Sequence, residues 1–202
     1  MISEMARDKD IFKIKHNNSR PEKGRILISE PFLQSIYFQR SVILLVEHNL
    51  KGSMGFVLNK RTNLIVNDFF PEMKFPQNIP IFLGGPVHSN HLFFIHTLGD
   101  DIITDGVKVF DNLYFDGNFE ALKSYIILGG PVEGKVKFFL GYSGWSENQL
   151  TGEIVSDSWL VGNSSVKNIM QTDVDSLWSQ SVDSLGSQYK AWKNYPVNPD
   201  MN

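Results

Sequence analysis

A serine, a glutamate and a histidine stand close enough in the sequence to suggest a nucleophilic site. Ser41 and His48 flank the apolar run at residues 42–46, and Glu47 precedes the histidine. Such a set activates a hydroxyl when the three groups are in hydrogen-bonding contact. The apolar run, however, predicts a strand buried on both faces, with Ser41 and His48 about 23 Å apart and on opposite faces. The sequence therefore predicts no catalytic triad here.

A hairpin is predicted around the same apolar run. The segment after His48 combines asparagine, lysine and glycine, which favour a turn, and a second strand-forming segment follows. A regular antiparallel register across this turn pairs His48 with Ser53 and Val42 with Asn59. The two polar ends of the first strand should then lie at opposite ends of the hairpin.

Three polar side chains should gather at the end of the hairpin away from the turn. Arg40, Ser41 and Asn59 supply a fixed cation, a hydroxyl and an amide, which together suit a carboxylate or a phosphate. The alternative is structural: the arginine bonds backbone carbonyls and the asparagine caps a strand end. General hydrogen-bonding statistics favour the structural interpretation, because most side-chain hydrogen bonds go to backbone or water.

The histidines do not have the spacing of a metal site. His88, His91 and His96 lie near one another, but a strand from His91 points His96 to the opposite face unless a bulge intervenes. No carboxylate stands nearby at ligand spacing. We expect no metal and no cofactor.

A glycine-rich turn is predicted at Gly84, Gly85 and Pro86. It lacks the Lys-Ser/Thr pair of a phosphate-binding loop and the third glycine of a dinucleotide fingerprint. A turn is the favoured interpretation, although its backbone N–H groups could face an anion. The same Gly-Gly-Pro-Val letters recur at residues 129–132, where shared turn chemistry explains them better than a duplication.

The stretch at residues 139–150 reads Phe-Leu-Gly-Tyr-Ser-Gly-Trp-Ser-Glu-Asn-Gln-Leu. Two glycines in four residues indicate a positive φ or a close backbone approach. Trp145, beside Gly144, needs burial and an acceptor for its indole N–H. We predict a strand that runs into a tight buried corner, followed by a short helix containing Gln149.

These residues resemble the Gly-Tyr-Ala-Gly-Trp…Gly-Gln-Leu-Glu signature of the bacterial YqgE/AlgH family. The resemblance extends over roughly residues 24–189, and its other motifs stand in the family's order and spacing. Those motifs are Phe38-x-Arg40-Ser41-Val42, Glu47-His48, Gly52 and Gly55, Val57-Leu58-Asn59, Gly84-Gly85-Pro86-Val87, Ile95-His96 and Trp159.

The chain departs from the family pattern at three positions of the signature. Ser143 stands for the usual alanine, Asn148 for glycine and Thr151 for glutamate, which leaves Glu153 as the matching acid. The resemblance implies a single-domain fold with a mixed, bent sheet and packed helices. It also implies the family's usual label of transcriptional regulator, which names no chemistry.

The order of elements along the chain predicts an α+β fold. Short strands joined by tight turns outnumber helices, and helical periodicity dominates the C-terminal region. We expect a mixed, largely antiparallel bent sheet with packed helices. A single domain should span residues 24–195, between a polar N-terminal extension at 1–23 and a tail at 196–202.

Composition argues against several classes of protein. The 202 residues carry 19 Lys and Arg against 22 Asp and Glu, a formal net charge of −3. A general polyanion binder needs concentrated positive charge, so direct nucleic-acid binding is not expected. The absence of cysteine excludes disulfides and thiolate sites. Without an apolar leader or a membrane-length apolar run, we expect a cytoplasmic protein without a membrane segment.

The leading hypothesis is a non-enzymatic regulatory protein that binds a small ligand or a protein partner in a groove near the glycine corners. The alternative is a hydrolase or transferase assembled from His48 or His96, Glu153 and glycine-turn backbone amides. The candidate binding residues are Arg40, Ser41, Glu47, His48, Asn59, Gly84, Gly85, Pro86, His96, Gly144, Trp145 and Gln149.

Overall fold

A computed structural model describes residues 17–73, 75–171 and 173–196. Its strands are β1 (Ile26–Ser29), β2 (Val42–Asn49), β3 (Gly52–Val57), β4 (Arg61–Ile65), β5 (Pro80–Leu83), β6 (Val87–His96), β7 (Val107–Phe110), β8 (Leu113–Phe115), β9 (Val136–Ser146) and β10 (Trp159–Gly162). Its helices are α1 (Val66–Phe69), α2 (Phe119–Ile127), α3 (Gln149–Val155), α4 (Val166–Met170), α5 (Leu177–Ser184) and a C-terminal 3-10 helix (Ser187–Asn194). None of these helices is long and apolar enough to cross a membrane.

The predicted α+β class is confirmed. The strands form one sheet in the order β10-β1-β2-β3-β9-β6-β8-β7, with β4 and β5 attached beside β9. Every described strand pair is antiparallel except β5 with β9. The sheet is therefore mixed and largely antiparallel. Most of the expected N-terminal extension and of the tail lies outside the described residues, so the domain limits stay a prediction.

The β2–β3 hairpin forms as predicted, with one correction to its register. His48 lies opposite Ser53, but the register shifts between Leu45 and Glu47. Beyond this bulge, the backbone N–H of Leu58, not Asn59, bonds to the carbonyl of Val42. The predicted Val42–Asn59 pairing is wrong by one residue because the extra residue lies on β2. The bulge also breaks the simple alternation of faces along this strand.

Three apolar clusters cover the sheet. One contains Leu44 and Phe56 of the sheet and is covered by α4, α5 and the 3-10 helix. A second joins α2 to Phe138 of β9, and a third joins α3 to Trp145 and Trp159. The C-terminal helices thus pack their apolar stripes on the sheet, as their periodicity predicts.

The predicted buried corner is instead part of a long strand. β9 continues through the glycine-rich stretch to Ser146, with Gly141 at a φ of +68°. On one edge it pairs first with β5, through Leu140, and then with β3, from Ser143 onward. The positive φ lets β9 change partners without ending, which is why no turn was needed.

Backbone contact between two glycine motifs fixes this change of partner. A Cβ on Gly84 would lie 2.2 Å from the carbonyl oxygen of Gly141, and one on Gly85 would lie 2.3 Å from the carbonyl carbon of Tyr142. A Cβ on Gly141 would lie 2.6 Å from the carbonyl oxygen of Gly85. Neither motif tolerates a side chain there, since the atoms approached belong to the backbone.

Replacing Gly84 with alanine tests this contact. Its φ is not in the positive region, so the effect should be steric, and we expect a loss of about 3 kcal/mol in the free energy of unfolding. Gly152→Ala in α3 is the matched control: its Cβ meets nothing within 4 Å, and alanine should stabilise the helix by roughly 0.5–1 kcal/mol. Chemical denaturation measures both, and equal stability of the two variants would contradict the contact.

Candidate functional site

The structure distributes the predicted site residues between the two ends of the β2–β3 hairpin and the sheet interior. At the turn end, Nδ1 of His48 lies 2.8 Å from Oγ of Ser53, its cross-strand neighbour. Ser41 lies beyond the other end of β2, buried, and its Oγ has no hydrogen-bond partner among the described residues. The serine that contacts His48 is therefore Ser53, not Ser41.

Two grooves flank the hairpin turn, and they share Asn49, Gly52 and Ser53. We call them the turn grooves. Each has a volume of about 480 Å³. One is completed by Glu47, Lys51, Met54, Val87, Tyr142, Gly144 and Trp145, and the other by His48, Leu50, Ser146, Glu147, Asn148, Leu150 and Thr151. Four of the predicted binding residues, Glu47, His48, Gly144 and Trp145, thus line neighbouring concavities.

Leu50, at the rim of one groove, lies at the hairpin tip with 90% of its surface exposed. Glu47 and Lys51 on one side and Glu147 on the other place opposite charges around it. Gly52 allows β3 to lie close to β9, since a Cβ at position 52 would lie 2.2 Å from the carbonyl oxygen of Trp145. The turn end therefore combines an exposed apolar tip with two polar grooves.

Trp145 and Gln149 of the glycine–tryptophan stretch donate hydrogen bonds to Glu153, and we call this cluster the Glu153 clasp. One carboxylate oxygen accepts the indole N–H groups of Trp145 and Trp159, each at 2.8 Å. The other accepts the amide of Gln149 at 3.0 Å, whose own carbonyl accepts the backbone N–H of Ser146. This clasp joins α3 to β9 and β10. Glu153 is the acceptor that the indole N–H of Trp145 was predicted to need.

Gly84, Gly85 and Pro86 form the link from β5 to β6. The N–H of Gly84 donates to the carbonyl of Leu140 at 2.9 Å, and its carbonyl accepts the hydroxyl of Ser143 at 3.0 Å. Both glycines are buried, whereas Pro86 is exposed. These bonds give Gly84 a structural role, so its N–H is not free to hold an anion.

His96 is fully buried and bonded to backbone at both ring nitrogens. Nε2 lies 3.1 Å from the carbonyl oxygen of Asp116, and Nδ1 accepts the backbone N–H of Leu98 at 3.4 Å. Burial lowers the pKa of His96, against the opposing hydrogen bond to Asp116 and the charges of Asp100 and Asp116. Neither His96 nor His48 is hydrogen-bonded to Glu153, and no group of three His, Asp or Glu side chains in the described residues could hold a metal.

At the opposite end of the hairpin, the side chain of Asn59 bonds to the backbone and caps a strand end, as the structural interpretation expects. Its Oδ1 accepts the backbone N–H of Val42 and its Nδ2 donates to the carbonyl of Arg40. The guanidinium of Arg40 donates to the carbonyl of Tyr195 and lies 5.0 Å from the ring centre of Trp178. Ser41 does not join this group, since its backbone N–H bonds to Oγ of Ser29.

Lys137 is a polar residue that the sequence interpretation missed. It lies in the middle of the core with 2% of its surface exposed, and its ammonium donates to the carbonyls of Leu58, Ile169 and Gln171 at 3.0–3.2 Å. Burial lowers its pKa to about 7. The available signal was a single lysine inside an apolar strand, which requires buried acceptors.

Removing the carboxylate of Glu153 should lower the free energy of unfolding. Glu153→Ala leaves two buried indole N–H groups without their acceptor, so we expect a loss on the order of 2 kcal/mol in the free energy of unfolding. Glu147→Ala, which removes an exposed carboxylate from the same region, is the control and should change stability little. Denaturation followed by tryptophan fluorescence measures both; an unaffected Glu153→Ala would refute the clasp.

The burial of His96 predicts a pH effect with a defined sign. Because its folded-state pKa is lowered, the unfolded chain binds the proton more tightly, and stability should fall as the pH drops through about 6.5. NMR titration of the imidazole should place its midpoint below that value. His96→Gln should flatten the loss of stability at acid pH, and a midpoint at or above the ordinary value would disprove this.

Comparison with known proteins gives consistent results along nearly the whole chain. A family described as AlgH-like (DUF179) matches residues 26–190. A UPF0301 protein of Parabacteroides distasonis is 59% identical, covering 98% of this chain and all of the relative. A UPF0301 protein of Bacteroides thetaiotaomicron is 43% identical, covering 96% and 98%.

Solved structures agree with this relationship. The solution structure of the AlgH protein from Pseudomonas aeruginosa matches with a TM-score of 0.68 and 26% identity, covering 89% of this chain and 98% of that one. A crystal structure of a Corynebacterium diphtheriae protein shares the fold, with a TM-score of 0.71 at 20% identity, covering 90% and 95%. The sequence motifs, the architecture and these matches together show that the chain belongs to the AlgH-like (UPF0301) family.

Proposed function

We propose that this protein is a non-enzymatic regulatory protein that binds a protein partner through the β2–β3 turn and the turn grooves on either side of it. The observation that carries the proposal is the convergence of Glu47, His48, Gly144 and Trp145 on these two grooves. Surfaces that bind other proteins typically combine an apolar centre with a polar rim.

The shape of the turn end supports a protein partner over a small ligand. Leu50 projects outward, so a partner must supply a pocket for it rather than enter one. The charges of Glu47 and Lys51 beside it would set the orientation of the complex, since rim charges contribute mainly to specificity and association rate.

The hydrogen bonding of the other predicted residues also supports a binding role. The carboxylate of Glu153 is shared by two indoles and an amide, and His96 is bonded to backbone at both nitrogens. These groups stabilise the fold and do not face either turn groove. This assignment supports the exposed residues of the hairpin turn as the partner-binding surface.

One contact favours the alternative, an enzyme of the hydrolase or transferase type. Ser53 and His48 lie within hydrogen-bonding distance on the wall of a turn groove, as a nucleophile and its base would. The same bond is also an ordinary cross-strand pair, which stabilises a hairpin. Of the described residues, none is hydrogen-bonded to the other ring nitrogen of His48 as an orienting carboxylate would be.

Site-specific photo-crosslinking in the producing cells tests the proposal. A photoreactive residue at Leu50 should capture a defined partner, whereas one at Leu128, an equally exposed leucine on another surface at 86%, should not. Adding Glu47→Lys with Lys51→Glu should reduce capture at position 50 roughly tenfold, as reversed rim charges slow association. Identical adducts at both positions, or no effect of the charge reversal, would contradict it.

A fluorophosphonate probe, which labels activated serines, distinguishes the enzyme hypothesis from the binding hypothesis. Labelling of Ser53 that disappears in His48→Ala would show an activated serine and favour the enzyme. Absence of labelling in the folded protein is the outcome expected for a binding protein.

A further inference from the structure

We propose that the end of the β2–β3 hairpin away from the turn carries a second site, which binds the phosphate group of a small phosphate monoester. The site is a cavity of about 310 Å³, which we call the cationic pocket. It is lined by Arg40, Asn59, Lys60, Val174, Asp175, Trp178, Ser179 and Lys193. It shares no residue with the turn grooves, so the proposal is independent of the proposed function.

The charges of the cationic pocket are not balanced by its own acids. Three of its lining residues are cationic and one, Asp175, is acidic. Lys193 is paired outside this set, with Asp183 at 2.7 Å. In the described part of the chain, neither Arg40 nor Lys60 forms an ion pair with Asp175 or with any other carboxylate.

Lys60 is the residue that most favours an anion in the cationic pocket. Its side chain is half-buried, and its ammonium has no hydrogen bond or ion pair to the described residues. Burial, and then the charge of Arg40, lowers its pKa. Two neighbouring cations without a counter-charge are unfavourable in a partly desolvated site, and an anion between them would relieve both the repulsion and the burial cost.

Arg40 is held in position for such a ligand. It has a φ of +48°, which is costly for a residue other than glycine, and the Asn59 amide bridges its carbonyl to the backbone N–H of Val42. Its guanidinium lies against the face of Trp178, while its Nε is buried and without a partner among the described residues. Packing thus fixes the direction of the guanidinium before any ligand arrives.

The composition of the cationic pocket selects the class of ligand. A guanidinium and an ammonium lining the same cavity supply two positive charges, which match the double charge of a phosphate better than the single charge of a carboxylate. The volume lies at the lower end of the range for small-molecule sites, which leaves room for a small organic group besides the phosphate. Asp175, an exposed acid in the same lining, would disfavour longer polyanions by repulsion.

Titration of the intact protein with inorganic phosphate, phenyl phosphate and benzoate tests the site. At about pH 7.5 a phosphate monoester carries close to two negative charges, so phenyl phosphate should bind saturably and benzoate should not. Calorimetry gives the affinities, and NMR shifts of the ring protons of Trp178, whose face lies against Arg40, should report binding. Affinity should fall with added salt, as expected for an electrostatic contact.

Lys60→Met is the decisive variant, because this ammonium makes no contact that the fold needs. It should weaken phenyl phosphate binding roughly tenfold, the size expected for losing one charge-assisted hydrogen bond. Lys135→Met removes an exposed lysine that lines neither the cationic pocket nor the turn grooves, and this variant should bind phenyl phosphate as the parent does. Circular dichroism checks that both variants fold.

Three results would overturn the proposal: no saturable binding of phenyl phosphate, equal binding of benzoate, or unchanged affinity in folded Lys60→Met. Saturable binding of inorganic phosphate alone would overturn the assignment of a monoester while showing an anion site.

Discussion

The backbone contact between the Gly84–Gly85 turn and β9 is the constraint on which the rest of the structure depends. Through it, β9 leaves β5 and pairs with β3, so that one strand belongs to both halves of the sheet. The contact has no room for a Cβ at Gly84, Gly85 or Gly141, because each would meet backbone atoms that cannot rotate away. Two glycine motifs far apart in the sequence are thus a single structural feature.

Buried polar side chains hold the other elements to this frame. Glu153 fixes α3 to two strands through indole N–H groups, and Lys137 joins the end of β3 to the end of α4 through three carbonyls. Such groups are costly to bury without partners, so they specify one arrangement of the surrounding elements. The tryptophans and their acid, which look the most chemical of the family motifs, are therefore explained by architecture.

The β2–β3 hairpin separates two surfaces of different chemistry. Its turn end presents an exposed leucine beside two grooves, whereas its other end brings Arg40 and Lys60, neither of which forms an ion pair in the described part of the chain, into one cavity with Trp178. Both follow from the same buried strand, whose length keeps the two ends apart. The proposed partner surface and the proposed phosphate site therefore lie at separate ends of the hairpin.

The sequence alone determined the local structure: the buried β2 strand, the hairpin turn, the pairing of His48 with Ser53 and the need of Trp145 for an acceptor. Each of these features depends on residues that are close together in the sequence and on the two-residue repeat of a strand. It missed β4, whose polar residues show no alternation, and the bulge in β2, which one extra residue creates. Only the tertiary structure decided that Lys60, Trp178 and Lys193 meet Arg40, because contacts between distant segments depend on how the whole sheet pairs and is covered.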